Sequence, residues 1–70
     1  MSRLPLLSGR EVIKILVRIG YREIRQRGSH VRLSFPGKKL ITVPDYKIIS
    51  KGLLRKILRD AEILPDEFKK

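Results

Sequence analysis

The sequence contains no cysteine, so neither a disulfide framework nor a cysteine-ligated metal can staple it. No apolar run approaches the ~18 residues that a membrane span requires. The start of the chain, Met1 to Leu7, is too short and too soon interrupted by the charge of Arg3 to read as a signal peptide. A soluble cytoplasmic protein that does not engage the membrane is the expectation. Internal repeats, low-complexity stretches and linkers are also missing. With 70 residues there is no room for a second core, so 1–70 reads as one domain. A chain of this size buries only roughly 60% of its unfolded surface, which makes it marginal or dependent on a partner.

Acidic residues are scarce too. Seven Asp and Glu stand against seventeen Lys and Arg, a formal net charge of +10. Self-repulsion at that density works against a compact state. A polyanion relieves it, and nucleic acid is the usual one, with an acidic protein partner as the other choice. A merely solvated, thermophile-like surface would carry balanced charge.

What is present divides into short elements. Ser8-Gly9-Arg10-Glu11 has the spacing of a capping box, with Leu7 set to staple onto Val12. From Val12 to Ile19 the apolar positions fill about 200° of a helix at ~100° per residue, so this helix should be deeply packed. Gly20 supplies its stop. Tyr21 to Arg27 and His30 to Phe35 read as strands joined by a Gly28-Ser29 hairpin. A turn at Pro36-Gly37-Lys38 leads to a third strand, Lys39 to Val43, closed by Pro44. Alternation sets Val31, Leu33 and Phe35 on one face and His30, Arg32 and Ser34 on the other; Ile41 and Val43 oppose Leu40 and Thr42 in the same way. Ser50 can cap a second helix from Lys51 to about Glu62, with Leu53, Leu54, Ile57, Leu58 and Ala61 on one stripe and Lys51, Arg55 and Arg59 on another. Pro65 ends it, and Phe68 can fold back onto the core.

The order α-β-β-β-α, with an apolar stripe on each helix and one apolar sheet face, predicts an α+β fold. Both helices pack on one face of a three-stranded antiparallel sheet, and the other face stays open and basic. This is the architecture of double-stranded-RNA-binding domains, a likeness of fold that does not by itself give a function.

The only histidine is His30, expected on the open face. Arg25 and Arg27 precede it and Arg32 follows. Gly28 and Ser29 between them offer backbone N–H groups to a phosphate. An imidazole ringed by like charges is expected to stay neutral near pH 7 and so be able to act as a base. On RNA the proton to remove is that of a 2′-OH, and nearby Arg or Lys would stabilise the charge that builds on phosphorus. The plainer alternative is a turn histidine that only hydrogen-bonds. One histidine, no cysteine and scattered acids make no metal-ligand set, and no cofactor is expected. Ser29 or Ser34 with His30 and Asp45 could form a hydrolytic triad on paper, but nothing resembles a nucleophile elbow. Tyr21 and Tyr46 are candidates to stack on bases, Tyr21 being equally suited to a half-buried strand position. The Lys51, Arg55 and Arg59 ridge is either a solvated face or a binding face. Ser50 and Gly52 at the head of that helix are a weak anion-binding signal.

Several of these segments together resemble the HicA, or YcfA-like, family of mRNA-interferase toxins. They are Leu7 to Glu11, Gly20-Tyr21, the core Gln26-Arg27-Gly28-Ser29-His30, Val43-Pro44, Gly52 to Leu58, and Asp66-Glu67-Phe68. The resemblance implies a double-stranded-RNA-binding-like fold and an endonuclease that cuts mRNA and blocks translation. The family's catalytic histidine falls on His30. It further implies a HicB antitoxin that covers the active face and often carries a DNA-binding domain. Two positions depart from the pattern. Many members have a second histidine in a Pro-x-His stretch, where this chain has Pro44-Asp45-Tyr46. The usual Gly-Thr-Leu of the second helix is Gly52-Leu53-Leu54. The expected reaction is therefore metal-independent RNA cleavage with His30 as base, with Arg25, Arg27, Gly28, Ser29, Arg32, Tyr46, Lys51 and Arg55 binding RNA. The rivals are a non-catalytic RNA-binding module of the same fold and a protein whose basic face serves mainly an acidic partner.

Overall fold

A computed structural model describes residues 5–68. The first four residues of the stretch weighed as a signal peptide, Met1 to Leu4, lie outside them. The element order is α1 (Gly9–Ile19), β1 (Arg22–Arg27), β2 (His30–Ser34), β3 (Ile41–Pro44), α2 (Lys51–Ala61) and a 3-10 turn at Pro65–Glu67. The sheet is antiparallel in the order β1-β2-β3, so the chain has the expected α-β-β-β-α, α+β architecture.

Local chemistry explains the helix ends. The Ser8 hydroxyl accepts from the Glu11 N–H at 3.1 Å and the Glu11 carboxylate accepts from the Ser8 N–H at 3.0 Å, a complete capping box. Ser50 Oγ accepts from the Leu53 N–H at the head of α2. Both helices end in the same motif. Tyr21 N–H donates to the Leu16 carbonyl and Gly20 N–H to that of Val17; Ile63 N–H donates to Leu58 and Glu62 N–H to Arg59. The motif needs a positive φ at its turning residue, which is 137° at Gly20 and 59° at Glu62.

One cluster of buried side chains gathers Leu7 from the segment before the first helix, Val12, Ile13, Ile15 and Leu16 from that helix, Val31, Leu33, Ile41 and Val43 from the sheet, and Leu54, Ile57, Leu58 and Ala61 from the second helix. Phe68 folds back into it as expected. The wide apolar arc of α1 is trimmed at its edges, because Val17 and Ile19 are 44% and 38% exposed.

Strand limits move by a residue or two. Tyr21 does not begin β1, since its N–H closes α1. Phe35 leaves β2 because its carbonyl accepts from Lys38 N–H across the turn, and its ring meets Tyr21 at 5.2 Å between centroids. Lys38 Nζ sits 5.3 Å from the Phe35 ring and donates to the Ala61 carbonyl at 2.8 Å. That tie draws the β2–β3 loop onto α2, and β3 starts only at Ile41. Asp60 completes the tie, 3.0 Å from Lys56 and 3.9 Å from Lys39. Chiefly through the Lys56 hydrogen bond, its carboxyl is held below the usual range.

Candidate functional site

The side chain that matters most for chemistry, His30, opens β2 immediately after a two-residue hairpin turn. Arg27 pairs with His30 across that turn. Gly28 takes φ 55° there while Ser29 does not take a positive φ, the pattern of a type II′ turn with glycine first. Two bonds hold the turn from below. Gln26 Nε2 donates to the Gly28 carbonyl at 3.1 Å, and Asp45 N–H donates to the Ser29 carbonyl at 2.6 Å. With those carbonyls tied, the peptide N–H of Ser29, antiparallel to the Gly28 carbonyl, is directed away from its tether.

His30 is exposed and lines a half-open hollow of about 160 Å³ with Arg25, Arg27, Arg32 and Thr42. Strand pairing puts Arg25 opposite Arg32, Arg32 opposite Thr42, and His30 opposite Pro44. Directly opposed arginines repel and weaken a sheet. The nearest acids do not offset them. Arg10, at the start of α1, lies 3.9 Å from Glu23 and 3.3 Å from Asp45, and its guanidinium donates to Gln26 at 3.5 Å. Among the described residues no carboxylate pairs with Arg25, Arg27 or Arg32. The hollow is therefore a concentration of unneutralised positive charge around one imidazole, and its chemistry suits an anion such as a phosphodiester.

The other expected residues are distributed unevenly. Gly28 and Ser29 form the turn beside the hollow. Tyr46 is 51% exposed two residues beyond Pro44, and its carbonyl accepts from Gly9 N–H at 2.8 Å. Lys51 and Arg55 are exposed on α2, in the helical layer, and do not line the hollow. Tyr21 is not available to a base: it is 1% exposed, in the core. Burial raises the pKa of its phenol, with smaller contributions from Glu62 and Asp60. A triad through Asp45 is not assembled either, because Arg10 engages that carboxylate. Among the described residues no group of three or more His, Cys, Asp or Glu is gathered to hold a metal ion, and no helix is long and apolar enough to cross a membrane.

Two contributors escaped the reading of the sequence. Thr42 was legible from alternation, since it opposes Ile41 and Val43. Arg10 had no such signal: it holds Gln26 and Asp45, 16 and 35 residues away in sequence, and also Glu23.

A family model described as the HicA toxin of bacterial toxin-antitoxin matches residues 9–63. No curated protein matches the chain.

Proposed function

The chain belongs to the HicA toxin family of bacterial toxin–antitoxin systems, and on that premise we propose that it is an endoribonuclease that cuts mRNA, with His30 as its general base. A toxin role and an antitoxin partner come with the family. The finer reading is that residues 1–70 act as one toxin domain in the cytoplasm, blocking translation by mRNA cleavage. A HicB-like antitoxin then restrains it by covering the basic sheet face.

One observation carries the proposal: His30 shares an exposed hollow with Arg25, Arg27 and Arg32, and among the described residues no carboxylate pairs with them. In the proposed reaction His30 takes the proton of a 2′-OH. The 2′-oxygen bonds to the adjacent phosphorus and the bond to the 5′-oxygen breaks, leaving a 2′,3′-cyclic phosphate. Tyr46, an arginine or water returns a proton to the departing 5′-oxygen. The arginines stabilise the extra charge on phosphorus, an effect that is often the largest single term in such catalysis. Because the nucleophile belongs to the substrate, the step asks the protein only for a base, cations and alignment. Gly28 and Ser29 form the turn beside the hollow, and they and Tyr46 are proposed to touch the same strand. Lys51 and Arg55 are proposed as outlying contacts of the helical layer.

The test is incubation of purified wild-type and His30→Ala protein with labelled RNA in EDTA. Wild-type cleavage that leaves a cyclic phosphate, lost in a folded His30→Ala protein that still shifts the RNA, is the expected result. Undiminished cleavage by His30→Ala would falsify the assignment. Binding by both proteins with cleavage by neither would leave a non-catalytic RNA-binding module of the same fold.

A further inference from the structure

The open face of the sheet is ruled into rows by strand pairing. Arg27 stands opposite His30, Arg25 opposite Arg32, and Arg22 opposite Ser34. Regular alternation would not allow this. Arg22 is three residues from Arg25, an odd number, and would turn to the helix-covered side. The register shift between Glu23 and Arg25 inserts Ile24 as an extra residue. This bulge returns Arg22 to the side of the other arginines while Glu23 faces α1, near Arg10. Among the described residues no carboxylate pairs with Arg22. The bulge thus sorts the charges of β1, cations to the open face and the acid away from it.

Successive rows of an antiparallel sheet lie ~6.8 Å apart along the strand, two residues at a time. That is close to the advance of one nucleotide in an extended strand. The hollow at the Arg27 and Arg25 rows, about 160 Å³, matches the size of a single sugar-phosphate unit. The chemistry agrees, because in-line attack by a 2′-oxygen requires a backbone released from helical stacking.

We propose that this face is a three-phosphate track for a single RNA strand laid along β1 and β2. The scissile phosphate lies in the Arg27–His30 row, the next in the Arg25–Arg32 row, and the third against Arg22 and the Ser34 hydroxyl. Arg22 is thus a further substrate-binding residue, and Ile24 is the insertion that aims it. The inference rests on the reading of the chain as an RNA-cleaving enzyme and names the form of RNA that it takes.

The experiment is fluorescence anisotropy on the full chain with labelled oligouridylates from two to six nucleotides long and an RNA duplex. It compares three proteins: His30→Ala, His30→Ala with Arg22→Ala, and His30→Ala with Arg18→Ala. Arg18 is an exposed cation on α1 and controls for loss of charge alone. Removing Arg22 should leave the di- and trinucleotide, which carry one and two phosphodiesters, unaffected and weaken strands of four or more nucleotides by roughly three- to fivefold. The slope of log affinity against log salt for the longer strands should fall by about 0.7. Removing Arg18 should change every length by one common factor. Equal losses for the two variants at every length, or tighter binding of duplex than of single strand, would overturn the track. Its failure is separable from that of the catalytic reading. Wild-type cleavage without the length step removes the track alone, and a length step without cleavage supports the track in a binding module.

Discussion

The hydroxyl of Tyr21 is buried with no hydrogen-bond partner among the described residues. An unpaired buried hydroxyl costs ~1–3 kcal/mol of desolvation, while the ring packs on Phe35. Tyr21→Phe should therefore leave stability unchanged or raise it by up to about 1 kcal/mol in urea titrations, although the same change usually loses a hydrogen bond of that size. The pH dependence follows from the raised phenol. A group that folding holds in its protonated form stabilises fully below its unfolded value, here 10.0, and that stability is lost as pH rises beyond it. Melting temperatures of the wild type should fall more steeply above pH 10 than those of Tyr21→Phe. Parallel curves would show that the phenol is not what titrates. The residue also shows why an aromatic beside a helix-ending glycine is ambiguous in sequence. Tyr21 could face bases or core, and only the bond from its N–H to Leu16 turns it inward.

Among the elements, the head of α1 and the tail of α2 are where backbone geometry is most demanding. Gly9 is buried against Pro44 and Asp45, and a Cβ there would run into the Pro44 carbonyl. Alanine would gain about 1 kcal/mol of helix propensity. The overlap costs ~1–3 kcal/mol and falls on backbone that cannot step aside. Gly9→Ala should thus be destabilising, and because Pro44 pairs with His30, RNA cleavage should fall with it. A stable, fully active Gly9→Ala protein would mean that α1 can move off β3 at no cost to the site. At the other end, Glu62 carries the left-handed turn that Gly20 carries in α1. That conformation costs a non-glycine residue roughly 1–2 kcal/mol, against about 0.5–1 kcal/mol of chain entropy for glycine. Glu62→Gly is expected to stabilise by up to about 1 kcal/mol in denaturant, and a loss of stability would show that the glutamate side chain contributes more than the strain. Caps, turns and apolar stripes made these elements legible in the sequence. The Ile24 bulge was not, because a bulge is settled by which residues of β2 each residue of β1 must face.

For the molecule as a whole, +10 on 70 residues sets two salt dependences of opposite sign. Screening relaxes self-repulsion among the cations, with a Debye length of ~10 Å at 0.1 M salt shrinking to ~3 Å at 1 M. It also weakens the ion pairs of Arg10, but exposed pairs contribute only ~0–1 kcal/mol. Repulsion should dominate, so the melting temperature should rise with added sodium chloride. RNA affinity should fall over the same range as counterion release loses its advantage. Calorimetry and anisotropy in one salt series read both; a melting temperature that drops with salt would assign the ion pairs the larger share. The same charge ties stability to partners: a ligand at 100 times its Kd adds about 2.7 kcal/mol, a large fraction of what so small a core can supply.

Periodicity, caps and turn residues determined the element order, the apolar sheet face and the basic one, and the neighbourhood of His30, because each rests on contacts within a few residues. The motif Gln26-Arg27-Gly28-Ser29-His30 carried the family resemblance on the same local footing. Only the tertiary structure decided which cations share the hollow. It separated Arg25, Arg27 and Arg32 from Lys51 and Arg55, took Tyr21 into the core, and set Arg10 against the acids. The physical reason is that a side chain's face depends on register and on what packs above it, and both are fixed by contacts between residues distant in sequence.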